Sequence, residues 1–182
     1  MDKKPGIRPR LGVWHQMDVA SRHAFPAAQT TIVLLLLAAP IGMPGQAQIQ
    51  SAWTMACIYF WSLYRPAALP ALLVFGIGLL LDLMAQGPVG IGVLLLLLIH
   101  AVALKFRRAL TRSGFGVVWL AFIGVAAAAS AGKWVLTCFL TWHIFPPAAG
   151  LFEFALAAGL YPIIALYLIL LHRGPAAPER AT

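Results

Sequence analysis

Phe75–Arg112 reads FGIGLLLDLMAQGPVGIGVLLLLLIHAVALKFRRALTR. Two apolar runs flank the turn Gln86-Gly87-Pro88, one carboxylate (Asp82) sits inside the first run, and the second ends in Lys105, Arg107, Arg108 and Arg112. Neither run offers water a polar face. A crossing helix needs roughly 20 predominantly apolar residues. The stretch therefore reads as a helical hairpin whose solvent is lipid.

The rest of the chain repeats this pattern. Of 182 residues, 62% are hydrophobic and 10% charged, whereas a soluble domain carries about 25% charged residues. Six spans are predicted, at 26–43, 49–64, 67–85, 89–104, 115–140 and 151–171. Pro44-Gly45, Arg65-Pro66, Gln86-Gly87-Pro88 and Pro146-Pro147 mark boundaries, and Pro40 and Pro162 should bend their spans. The expected fold is all-α, a polytopic six-helix bundle. A basic N-terminal tail (1–24) precedes the transmembrane domain (25–173), and a short tail (174–182) follows it. Leu11, Val13, Trp14 and Met17 could lay part of the first tail on the lipid surface.

Lysine and arginine alternate between connections. The N-tail has Lys3, Lys4, Arg8, Arg10 and Arg22; residues 44–48 have none; then comes Arg65; residues 86–88 have none; then comes the Lys105–Arg112 set. Residues 141–150 again have none, and Arg173 and Arg180 follow the last span. The positive-inside rule places both termini in the cytoplasm and the basic face Arg65, Lys105, Arg107, Arg108 and Arg112 on the same side. The net charge of +8 is thus a topology and anionic-lipid signal and implies no nucleic-acid partner.

Three intramembrane charges, Asp82, Lys133 and Glu153, fall within about 10 Å of one membrane level at 1.5 Å rise per residue. Pairing Lys133 with one of the two acids would remove much of the cost of burial. Such a cluster would lock that half of the bundle or line a cavity. The competing reading leaves Glu153 in the interface at a helix N-terminus while Lys133 snorkels outward. Gly124, Ala128 and Gly132, and Ala155 and Gly159, form small-residue stripes expected to pack inside the bundle.

Catalytic signatures are missing from the sequence. Cys57 and Cys138 lie inside apolar runs and read as inert thiols. His100 and His172 read as interfacial; no His or Cys pair has metal-ligand spacing, so no metal is expected. There is no Walker sequence, and Gly76-Ile77-Gly78 lacks the strand and third glycine of a dinucleotide site. Ser51, Ser62, Ser113 and Ser130 have no catalytic context, and no cofactor is implied. Trp53, Tyr59, Trp61 and Tyr64 crowd the second span, the end residues suited to an interfacial belt and the middle ones to packing.

Phe75-Gly76, then Gly78-Leu-Leu-Leu-Asp82, a small turn with Gly87, Gly90 and a span ending in a basic cluster resemble the MreD family of rod-shape membrane proteins. Tyr59, Trp61 and Arg65-Pro66 before this core agree, as does Gly159-Leu160-Tyr161-Pro162 leading to His172-Arg173. The resemblance covers roughly 30–173 in architecture and 75–112 in motif. It implies a non-catalytic inner-membrane subunit of the cell-elongation machinery. The implied partners are an MreC-like protein, the MreB filament, a RodA-type glycosyltransferase with its transpeptidase, and membrane lipids. The alternative is a ligand-binding subunit of an energy-coupling-factor-type vitamin importer.

Overall fold

The computed structural model describes residues 26–38, 45–85 and 87–173, with side chains to residue 170. Among them are six α-helices and no strand. These are α1 (Pro26–Leu37), α2 (Gln46–Tyr64), α3 (Ala71–Met84), α4 (Ile91–Leu110), α5 (Phe115–Thr141) and α6 (Ala148–Arg173). The N-terminal tail, Pro40, Pro44 and residues 174–182 lie outside the described residues.

Helix α2 is the hub. It packs on α4 and α6, while α3 pairs with α4, and α5 lies between α4 and α6. Its Ala52, Ala56, Cys57, Ile58, Trp61 and Leu63 have no exposed surface. A helix buried on every side can carry polar residues only where neighbours satisfy them. Gln46 and Gln50 each donate an amide to the Leu37 carbonyl at the end of α1, at 2.6 and 2.8 Å. The predicted start of the second span at 49 is therefore too late. The glutamine turn belongs to α2, because it caps a neighbouring helix whose last carbonyls lack intrahelical partners.

The third span is also corrected. The predicted 67–85 run is broken by Pro70, which is the N-cap of α3, and a short 3-10 turn (Pro66–Ala68) precedes it. The fourth extends to Leu110, well past the predicted 104, so Lys105, Arg107 and Arg108 ride on helix, with Arg112 in the turn beyond. The fifth and sixth follow prediction within a turn.

The exterior is apolar. Leu72, Leu83, Leu120, Ile163 and Leu170 are each more than 60% exposed. A soluble monomer rarely shows contiguous apolar patches of this kind. Helices α5 and α6 are long and apolar enough to cross a membrane, and α1 and α3 are shorter apolar helices.

The small-residue stripes do not do what periodicity suggested. Gly124, Ala128, Ala155 and Gly159 are exposed, and a Cβ at Gly124 or Gly159 would meet nothing within 4 Å. Only Gly132 faces a neighbour, with Leu95 Cδ2 at 3.4 Å from a built Cβ. The close crossing lies elsewhere. A Cβ on Gly78 would stand 2.7 Å from the Val93 Cα, so α3 and α4 touch backbone to backbone.

Pro162 sits inside α6, which continues through it. Proline has no N–H, so the carbonyl four residues earlier, Ala158, loses its helical donor. The Trp119 indole of α5 supplies one, Nε1 to Ala158 O at 3.0 Å. Beside it, Phe122 stacks on Tyr161 at 4.2 Å. Trp119→Phe should cost about 1–2 kcal/mol, because the carbonyl then faces an apolar environment bare. In a Pro162→Ala background the same change should cost far less, since residue 162 again donates. A double-mutant cycle of thermal unfolding in detergent checks the coupling.

Candidate polar node between the helices

The hydrogen bonds fix how the ends are arranged. The end of α3 meets the start of α4, and Lys133 late in α5 meets the starts of α2 and α6. At the opposite end, Arg107 Nε donates to Leu63 O near the end of α2, at 2.8 Å. The bundle therefore has a node end and a basic end.

At the node end, Asp82 is 7% exposed. One carboxylate oxygen accepts from Gly90 N (2.8 Å) and Val93 N (3.2 Å), the other from Gly92 N (2.9 Å). A helix start presents unpaired N–H groups and the positive end of its dipole. The carboxylate of α3 satisfies both, capping α4 across the turn. Two glycines permit the geometry. Gly90 has φ 106°, a left-handed conformation, and a Cβ on Gly92 would run into the carboxylate. Gly87 is exposed with open space around it, so nothing in the structure demands glycine there.

Lys133 pairs with Glu153, Nζ to Oε2 at 2.8 Å. Ser51 Oγ donates to Glu153 Oε1 at 2.7 Å and lies 3.4 Å from Lys133 Nζ. This triad ties α2, α5 and α6. Of the two pairings open to Lys133, the structure takes the glutamate, while Asp82 is occupied by backbone. Glu153 is 4% exposed, enclosed by its neighbouring helices rather than open at the start of α6. The three charged residues nevertheless share a place. With Ser51, Gly92 and Leu95 they line a cavity of about 50 Å³, the scale of one or two water molecules at about 30 Å³ each.

Other candidates are placed differently. His100, expected at the interface, is 5% exposed, with its Nδ1 2.7 Å from Ser62 Oγ. Ser62 also donates to Ile58 O, so the pair joins α2 to α4, and Ser62 has no exposed surface for a substrate to reach. His172 has no described side chain. Cys57 is buried, while Cys138 is half-buried; both are free thiols. Tyr59 and Trp61 are core, and Tyr64 is 43% exposed. Tyr161 packs against Tyr59 and Phe122, and Pro162 acts through Trp119. Arg65 is half-buried, while Lys105, Arg107, Arg108 and Arg112 are exposed. Among the described residues, no three His, Cys, Asp or Glu side chains form a metal-holding group.

Sequence reasoning missed Ser51, Gly92 and Trp119. Gly92 had a signal, since Gly90-Ile91-Gly92 after an acid and a turn is the spacing a cross-turn cap needs. Ser51 and Trp119 had none, because their partners come from helices distant in sequence.

Buried polar groups that bond one another, inside a helical bundle with an apolar exterior, define a helix-bundle membrane protein whose charges hold the fold. A family model described as rod shape-determining protein MreD matches residues 25–171. The chain belongs to the MreD family, a family of shape-determining membrane proteins. No curated protein and no solved structure matches it.

Proposed function

We propose that this chain is a non-catalytic scaffold of the bacterial cell-elongation complex. In this reading it crosses the inner membrane six times with both termini in the cytoplasm. It couples peptidoglycan synthesis to an MreC-like protein and the MreB filament, beside a RodA-type glycosyltransferase and its transpeptidase. The observation that carries the reading is the family match over residues 25–171. The node supports it. Asp82 is committed to three backbone N–H groups and Glu153 to Lys133 and Ser51, so these carboxylates serve architecture. The basic end, with Arg108 and Arg112 exposed, suits anionic lipid or acidic protein on the cytoplasmic side.

Depletion of the chain from a rod-shaped bacterium in which it is the sole MreD-family protein tests the reading. Cells should become round, and mild-detergent capture of the tagged chain should recover an MreC-like protein. Retained rod shape with loss of uptake of one nutrient would overturn it in favour of a transporter subunit.

A further inference from the structure

The loop joining α5 to α6 carries an aromatic plate. Trp142 is 88% exposed and Ile144 84%, flanked by Phe139 at 68% and Phe145 at 41%. Phe139 stacks on Trp142 at 6.0 Å between centroids, and His143 meets Phe145 edge-on at 5.3 Å. Trp142 is left-handed (φ 53°), a conformation uncommon for a side chain of its size. The Trp134 indole donates to Phe145 O at 2.9 Å and holds the loop back against α5. An open hollow of about 390 Å³ runs between Trp134, Cys138, Trp142 and Ile144.

We propose that this plate seats in the glycerol-ester layer of a phospholipid monolayer and sets the depth of the α5–α6 hairpin. Three observations select lipid as the occupant. First, α5 has 27 residues, about 40 Å at 1.5 Å each, against a hydrocarbon core of about 30 Å, so its end reaches the headgroup zone. Second, Trp134–Phe152 contains no Asp, Glu, Lys or Arg, and the flanking Lys133 and Glu153 bond each other, so seating takes no carboxylate, lysine or arginine out of water. Third, the plate continues the apolar exposed row Val135 and Phe139 of α5. Indole rings with an apolar body and one N–H donor favour this layer. The basic residues close the other end of α5, so the hairpin would have a cationic contact on one leaflet and an aromatic one on the other.

The test uses the full chain, one copy per phosphatidylcholine nanodisc, and compares it with Trp142→Phe, which keeps the plate apolar. The fluorescence lost in the variant reports Trp142. That component should be quenched strongly by lipids brominated at shallow acyl positions and several-fold less by aqueous acrylamide. Quenching by acrylamide with no lipid effect would overturn the proposal. Shielding from both quenchers would also overturn it, because protein would then cover the plate. This readout does not depend on the cell-elongation reading.

Discussion

Lys133→Met should destabilise the bundle by about 3 kcal/mol. Removing one member of a buried ion pair leaves the other uncompensated, at a typical cost of about 3–5 kcal/mol. The stranded group, Glu153, is 5% exposed, and the low end applies because it still accepts from Ser51. Glu153→Gln alone should cost less, since the glutamine oxygen still accepts from Lys133 and Ser51 can turn to accept from its amide. The informative variant is the double one. Lys133→Met with Glu153→Gln should recover most of the loss, because neither charge is then stranded. Thermal unfolding in detergent, followed by a thiol probe on buried Cys57, reads all three. Purely additive losses would show that the 2.8 Å contact does not organise the node.

Asp82→Ala should cost about 3–4 kcal/mol. Hydrogen bonds to a charged group are worth about 1.5–3 kcal/mol each, and three backbone donors lose their acceptor together. Asp82→Asn should fall between, since one oxygen still accepts while the new amide turns a donor toward N–H groups. The loss should be local. Amide exchange should accelerate at Gly90, Gly92 and Val93 before it does in the middle of α4. Gly92→Ala should reproduce the effect with the carboxylate intact, by pushing it off the helix start. Unchanged exchange at these amides in Asp82→Ala would remove the cap from the account.

These two effects show where sequence was informative. A carboxylate in an apolar run must be satisfied, so the burial and specific bonding of Asp82 were legible. Its partner was not. Lys133 offers opposite charge, but the start of α4 offers three N–H groups, and only the hairpin geometry puts them first. Glu153 followed the same logic in reverse, because Ser51 and Lys133 converge on it from helices far apart in sequence.

The small-residue stripes failed for a different reason. In lipid, an apolar side chain gains nothing by choosing protein over acyl chain, so periodicity finds a face without telling which way it turns. Gly124 and Gly159 face outward, while the glycine on which two backbones meet is Gly78. Likewise, Pro70 lies in an apolar run with no other break, and the polar start of α2 is helical because Gln46 and Gln50 donate to the Leu37 carbonyl.

Composition, the lengths of the apolar runs and the breakers between them determined by themselves that this chain is helical and suited to lipid, because unpaired backbone cannot be left in hydrocarbon. Tertiary structure alone decided that α2 is the hub, which acid takes the lysine, and that a tryptophan replaces the donor missing at Pro162. Those choices depend on distances of a few ångströms between helices, and a one-dimensional pattern of apolar residues does not encode such distances.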